Sequence, residues 1–198
     1  MGKGDLTRQA ILERATSVAS SVGLEGLTIG NLAEELELSK SGLFAHFGSK
    51  ESLQVAILEH VTERFIELVV KPGLRAPRGE LRLKALFDRW RQWPKLNPMP
   101  GGCLFVAASV ELDNRPGPAR DLLVRQQRDW LDLLATTVRG AVAEGQFRKD
   151  VDPDQFAHDF YGIMLGFHHA LWLLRDPKAE KRAVRAFENL VEAARRPQ

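Results

Sequence analysis

Residues 28–50 read TIGNLAEELELSKSGLFAHFGSK, two short helices joined by a tight turn. Thr28 can cap the free amides of a first helix whose apolar positions, Ile29, Leu32, Ala33 and Leu36, recur at helical spacing. Residues 37–39 turn the chain, and Ser39 can cap a second helix in which Leu43 and Phe47 stand four apart and must face inward. Lys40, Ser41, Phe44 and Ala45 are then left facing out. A helix of this size fits the major groove of B-DNA, where its N-terminal side chains reach base edges while the helix before it crosses the phosphates. Beyond Gly48, Ser49 caps a long helix whose first turn carries Lys50, an amine placed to meet a phosphate.

The stretch LTxxxLAxxLxLSKSGLFAHFGSKESL, residues 27–53, resembles the signature of the TetR/AcrR family of bacterial transcriptional regulators. The resemblance implies a three-helix DNA-binding head over residues 1–50. It also implies a larger helical body, residues 51–198, that binds a small molecule and dimerises, with repression relieved by that ligand. The operator-binding set is then Thr28, Lys40, Ser41, Gly42, Phe44, Ala45, His46 and Lys50. Lys40 is the best placed to read a guanine edge, and Ser41 and Ala45 to meet a neighbouring base pair or a thymine methyl. Thr28 and Lys50 should fix register on phosphates, while Gly42 lets the backbone come close. Two positions depart from the family pattern. Glu37 stands where glycine is usual, which predicts a slightly different turn, because glycine alone takes positive φ at no steric cost. Phe44 stands where tyrosine is usual, so no phenol can donate to a phosphate, and contact with sugar or thymine methyl remains.

A chain of 198 residues can hold one large domain or two small ones. The formal net charge of +2 does not argue for nucleic acid by itself. Within residues 1–50, five cations (Lys3, Arg8, Arg14, Lys40, Lys50) face six acids (Asp5, Glu13, Glu25, Glu34, Glu35, Glu37). Distribution carries the argument: Lys3, Arg8, Lys40 and Lys50 fall at helix ends that would face DNA, and Glu34, Glu35 and Glu37 cluster away from the groove. Such a head needs a second copy to add a half-site. One cysteine, Cys103, excludes an internal disulfide and fits a reducing cytoplasm. The N-terminus lacks the apolar core of a signal peptide, and the most apolar segment, 156–174, contains Asp159 and three histidines. The expectation is a soluble cytoplasmic protein with no membrane partner.

The remaining pattern is all-α, about nine helices. Leu6, Ala10, Ile11, Ala15, Val18, Ala19 and Val22 mark a first helix stopped by Gly23. The helix opening at Lys50 runs to Pro72-Gly73, and another ends at Pro94 before a loop rich in proline and glycine. Helices follow over about 103–112 and from Pro118 to about Gly145. Asp152-Pro153-x-Gln155 opens the next, with an acidic cap and an amide reaching back, and Pro177 precedes the last.

Residues 156–174 are apolar around much of the helix circumference, and Gly162 and Gly166 offer a flat strip for another helix. Phe156, Phe160, Gly162, Ile163, Gly166, Phe167, Ala170 and Leu174 are therefore read as a homodimer interface. The ordinary alternative is a helix buried inside one subunit. Trp90, Trp93, Met99, Cys103, Phe105, Trp130, Tyr161, His168 and Trp172 are read as the lining of a pocket for an apolar or aromatic effector. Each of these residues alone could equally fill core.

No catalytic, metal or cofactor site is expected. Neighbouring His168 and His169 point about 100° apart and cannot share an ion. An all-helical enzyme would need Asp159, His168 and Cys103 to converge, which their spacing does not bring about locally. A redox role for Cys103 lacks a second cysteine to resolve a sulfenate. Control by a protein partner is the third alternative. The reading is a non-enzymatic homodimeric repressor whose partners are double-stranded operator DNA and a small effector.

Overall fold

The computed structural model describes residues 3–96 and 99–195, with side chains from Arg8 onward. Lys3 and Leu6, assigned above to the DNA face and to the inner face of the first helix, have side chains outside the described residues. The elements are α1 Lys3–Gly26, α2 Ile29–Glu35, α3 Lys40–Phe47, α4 Lys50–Phe65, a π turn Ile66–Val70, α5 Lys71–Leu74, α6 Glu80–Leu96 and α7 Leu104–Leu112. Then come α8 Pro118–Ala143, α9 Pro153–His168, a second π turn His169–Leu173 and α10 Ala179–Ala194. Two compact units contain them: Met1–Phe65 with Pro94–Arg125, and Ile66–Trp93 with Gln126–Gln198. Among the described residues there is no strand, and no helix is long and apolar enough to cross a membrane.

In the first unit α1 packs on α4 and α7, and α3 packs on α2 and α4. Ile11, Ala15 and Ala19 form the inner stripe of α1, whereas Ala10 and Val22 face solvent. Gly23, at φ 82°, breaks the helix as its composition predicts, and a Cβ there would also run into the Glu111 carboxylate. Glu111 caps the chain beyond the break by accepting the Glu25 amide at 3.0 Å. The loop before α7 lies so close to α1 that a Cβ on Gly101 would overlap the Ser20 carbonyl.

The turn after α2 keeps a glycine-type geometry without glycine. Glu37 sits at φ 53°, its amide donates to the Glu34 carbonyl at 3.2 Å, and the Leu38 amide donates to Ala33 at 2.9 Å. That pair of bonds is a Schellman closure with Glu37 at its left-handed position. The expected different turn is not formed: closing the two orphan carbonyls outweighs the steric cost of a Cβ, about 1–2 kcal/mol.

In the second unit three phenylalanines from three helices make the centre. Phe87 of α6 stacks on Phe187 of α10 at 4.3 Å, and Phe160 of α9 meets both edge-on at 5.8 and 5.3 Å. Trp90 meets Phe167 edge-on at 5.9 Å. Asp152 caps α9 by accepting the Asp154 and Gln155 amides, but the Gln155 side chain turns forward to Asp159 at 2.9 Å rather than back. The helix opening at Lys50 continues through the π turn to Leu74, one residue past the expected Pro72-Gly73, with Pro72 in the first turn of α5, and α6 runs two residues past Pro94 to Leu96.

A polar clamp closes one end of this unit. The Gln146 side chain accepts the first α6 amide, Glu80, at 2.8 Å, the Arg148 amide donates to Ala194 at 2.9 Å, and Arg195 binds both Glu80 carboxylate oxygens at 2.9 and 2.5 Å. The Arg195 hydrogen bond is the first cause holding the Glu80 carboxyl below its ordinary value.

Two stability predictions follow from these contacts. Glu37→Gly should raise stability by about 0.5–1 kcal/mol and the melting temperature by about 1–3 °C, read by circular dichroism; an unchanged or lower midpoint would refute left-handed strain at Glu37. A depressed carboxyl stabilises the fold above its unfolded pKa, and the gain is lost as pH falls through the folded value. Glu80→Gln should therefore be less stable at pH 7 by about 1 kcal/mol, with a flatter urea-midpoint curve than wild type below about pH 5.

Candidate nucleic-acid interface

The outward face of α3 is built by caps and by two buried residues. Thr28 accepts the Asn31 amide at 3.1 Å and starts α2; Ser39 accepts the Gly42 amide at 3.0 Å and starts α3. Leu43 and Phe47 are buried, which rotates Lys40, Ser41, Phe44 and Ala45 outward, all exposed. These four, with Ile29 and Gly30, line an open groove of about 540 Å³. The Lys40 stem lies over Gly30, where an added Cβ would stand 3.4 Å from Lys40 Cε. Ile29, expected inside α2, is instead half-buried in the groove wall; it occupies the first helical position, before the α2–α3 contact closes over Leu32 and Ala33. Ile29 and Gly30 were not among the expected site residues, and only their place at the start of α2, beside the Thr28 cap, hinted at it.

The Ser41 hydroxyl lies 3.2 Å from that of Ser39. Gly42 is exposed on the first turn of α3, and Phe44 is 52% exposed, a large apolar ring facing solvent on a polar head. His46 is half-buried, its ring 6.2 Å from that of Phe47. Arg8 also reaches Phe47, its guanidinium 5.3 Å from the ring centre. On the far end of α2, Glu35 pairs with Arg14.

Lys50 is placed differently from a free amine. Its Nζ donates to the Glu25 carbonyl at 2.6 Å and approaches Glu25 Oε2 at 3.3 Å. The last carbonyls of α1 have no partner within the helix and carry its negative end, so an amine at the start of α4 finds them. Gln54 donates to the Leu24 carbonyl at 3.1 Å and to Glu25 Oε1 at 2.9 Å, while Arg115 reaches Glu25 Oε2 at 2.7 Å. The Gln54 hydrogen bond first, then Lys50 and Arg115, hold the Glu25 carboxyl below its ordinary value.

The nine residues read as pocket lining divide between the two units. Met99 and Cys103 are buried in the first, where Phe105 meets Phe65 edge-on at 5.7 Å. Trp90, Trp93 and Trp130 are buried in the second; Tyr161, His168 and Trp172 are half-buried there, and the His168 and Trp172 rings lie 6.4 Å apart. Burial, then the neighbouring His169, lowers the His168 pKa.

The expected dimer surface needs correction at three positions. Phe156, Phe160 and Phe167 are buried inside the subunit, packed against Phe147, the Phe87–Phe187 stack and Trp90 respectively. Gly162 and Gly166 are exposed, with open space where a Cβ would project. Ile163 and Ala170 are half-buried, and Leu174 is exposed. The same side of the helix carries Leu165 and Leu173, both exposed and neither anticipated. Their spacing from Gly162 and Gly166 was the available signal.

Among the described residues no group of three or more His, Cys, Asp or Glu could hold a metal. Asp159 is taken by Gln155, and Cys103 is buried at the start of α7 in the other unit.

Comparison with known proteins gives the same outline. The family model "Bacterial regulatory proteins, tetR family" matches residues 11–57, and "Tetracyclin repressor-like, C-terminal domain" matches residues 79–187. The chain is 38% identical to the HTH-type transcriptional repressor AcnR of Corynebacterium glutamicum, over 80% of this chain and 78% of that one. A TetR-family transcriptional regulator from Cytophaga hutchinsonii superposes with a TM-score of 0.87 at 19% identity, covering 100% of this chain and 99% of that one. AibR, solved in complex with isovaleryl coenzyme A and operator DNA, superposes with a TM-score of 0.70 at 21% identity, covering 96% and 99%.

Proposed function

The chain belongs to the TetR family of bacterial regulatory proteins, DNA-binding transcriptional regulators, and on that premise we propose how its own residues read an operator and release it. Residues 1–50 act as the reading head and residues 51–198 as the part that binds an effector and dimerises. The protein works as a cytoplasmic homodimeric repressor. The observation that supports the reading best is the outward face of α3: a lysine, a serine and an alanine, exposed beside a shallow groove and held by two buried residues on the opposite side.

Lys40 donates to a guanine edge, and Ser41 and Ala45 meet the adjoining base pair or a thymine methyl. Phe44 packs on sugar or methyl carbon. Gly42 lets the start of α3 approach the backbone, and His46 stands at the margin of the contact. Thr28 retains a hydroxyl proton for a phosphate while its oxygen caps α2. Lys50 keeps one of its three ammonium hydrogens for a phosphate, the other two being directed at Glu25.

The second copy docks on the face carrying Gly162, Leu165, Gly166, Leu173 and Leu174, where the missing side chains at the glycines allow close helix approach. The effector is small and apolar or aromatic, held among the pocket-set aromatics of the second unit, Trp90, Trp93, Trp130, Tyr161 and Trp172. Its binding shifts α4, whose ladder changes to a π turn at Ile66–Val70, a kind of irregularity that recurs at functional sites. Moving the two heads apart prevents both half-sites from being engaged together.

In anisotropy titrations on a selected operator and on random duplex, Lys40→Ala should lose about 1–3 kcal/mol on the operator only, and Lys50→Ala should weaken both and flatten the salt dependence. Equal loss on both DNAs for Lys40→Ala would remove its base-reading role. Leu173→Glu should give a monomer by light scattering and a roughly hundredfold or greater loss on the paired site. A variant that stays dimeric and binds normally would move the interface elsewhere.

A further inference from the structure

We propose that Glu25 is a positioning residue that sets how much of the Lys50 charge reaches DNA, and that Arg115, from the turn after α7, tunes this by sharing the same carboxylate. The proposal rests on the reading of Lys50 as a phosphate contact. Glu25 stands at the end of α1, Lys50 at the start of α4 and Arg115 between α7 and α8, so three separate segments of one compact unit meet at one carboxyl group.

The contacts separate two tasks. The Glu25 carbonyl, with Nζ at 2.6 Å, fixes where the amine sits; the carboxylate, at 3.3 Å, offsets its charge. A substitution that removes only the negative charge should leave the amine in place and expose a phosphate to its full field. Gln54 holds the other carboxylate oxygen at 2.9 Å, and Glu111 holds the Glu25 amide at 3.0 Å, so the carboxylate cannot readily swing away from Lys50. What can change is Arg115, whose side chain is 58% exposed and anchored here to Glu25 Oε2 at 2.7 Å. While Arg115 occupies that oxygen, it shares the negative charge and Lys50 is less neutralised. When the α7–α8 turn withdraws it, Glu25 is left to Lys50 and the head's hold on phosphate weakens. The turn therefore reaches the DNA contact through electrostatics alone, with no change in the α2–α3 geometry.

The test is a double-mutant cycle on the full-length protein, with affinity for random-sequence duplex measured by anisotropy at two salt concentrations. Glu25→Gln should bind roughly three- to tenfold tighter with a steeper salt slope, and Lys50→Ala should abolish that gain. Arg115→Ala should bind roughly two- to threefold weaker in the wild type and have no effect in the Glu25→Gln background. Circular dichroism melting checks that Glu25→Gln is folded; Arg115 is exposed, so its variant reads out independently. If Glu25→Gln binds no tighter while Lys50→Ala weakens binding, the positioning role is overturned and the phosphate contact stands. If Arg115→Ala weakens binding equally in both backgrounds, Arg115 acts on DNA directly and its tuning role is overturned. If Lys50→Ala changes nothing, the phosphate contact itself fails and the proposal with it.

Discussion

The left-handed backbone at Glu37 sets the direction in which α3 leaves α2, and the reading face inherits its geometry from that one residue. With Glu37 at φ 53°, the amides of residues 37 and 38 close the last carbonyls of α2, and Ser39 falls where its hydroxyl can cap α3. Leu43 and Phe47 then enter the core formed with Leu32 and Ala33, and the rotation of α3 is decided. Lys40, Ser41, Phe44 and Ala45 are exposed as a consequence of what their neighbours bury. A β-branched residue at position 37 would meet a higher barrier to this conformation, so the fold constrains position 37 although its side chain makes no packing contribution.

Charge is the second constraint, and it acts at short range. The head has nearly balanced formal charge, so its field on DNA depends on which cations are neutralised by neighbours. Arg14 is paired with Glu35 and Arg8 lies over Phe47, whereas Lys40 rests on a glycine and an aliphatic wall. Lys50 stands between these cases, bonded to a carbonyl that positions it and a carboxylate that offsets it. A count of cations and acids cannot express this, because an ion pair removes both members from the field beyond about a Debye length.

What the sequence revealed and what it did not divide along the range of the interactions. Caps act over three residues, and Thr28, Ser39 and Asp152 were all legible as helix starts because each needs only its own first turn. The all-α class was legible for the same reason. Phe156, Phe160 and Phe167 lie with Ala157 and Met164 on one buried stripe opposite Asp154, His158 and Asp159, a period outweighed in the interface reading by the overall apolarity of the segment. What that stripe packs on, Phe147, the Phe87–Phe187 pair and Trp90, comes mostly from distant segments. The tie of Lys50 to residue 25, and of residue 25 to residue 115, spans separations that no local pattern encodes. The prolines at 72 and 94 mark their helix ends to within two residues, because the lost donor and the ring act on the adjacent turn alone.

The apolar stripe of α9 and its π turn bears on the same charge argument. A head of nearly balanced formal charge gains little from phosphates, so on the proposed reading specificity comes from contacts made twice. Two linked heads raise affinity through effective concentration without any new contact, and only when their spacing fits the site. Gly162, Leu165, Gly166 and Leu173 leave on the second unit a face that no described residue covers, while the three phenylalanines beside it are committed to the core. On the proposed reading, burying that face in a second copy would remove exposed leucines from water and fix head spacing in the same step. The weakness of one head would then make spacing decisive, since a strongly basic head would stay on DNA whatever the distance to its twin.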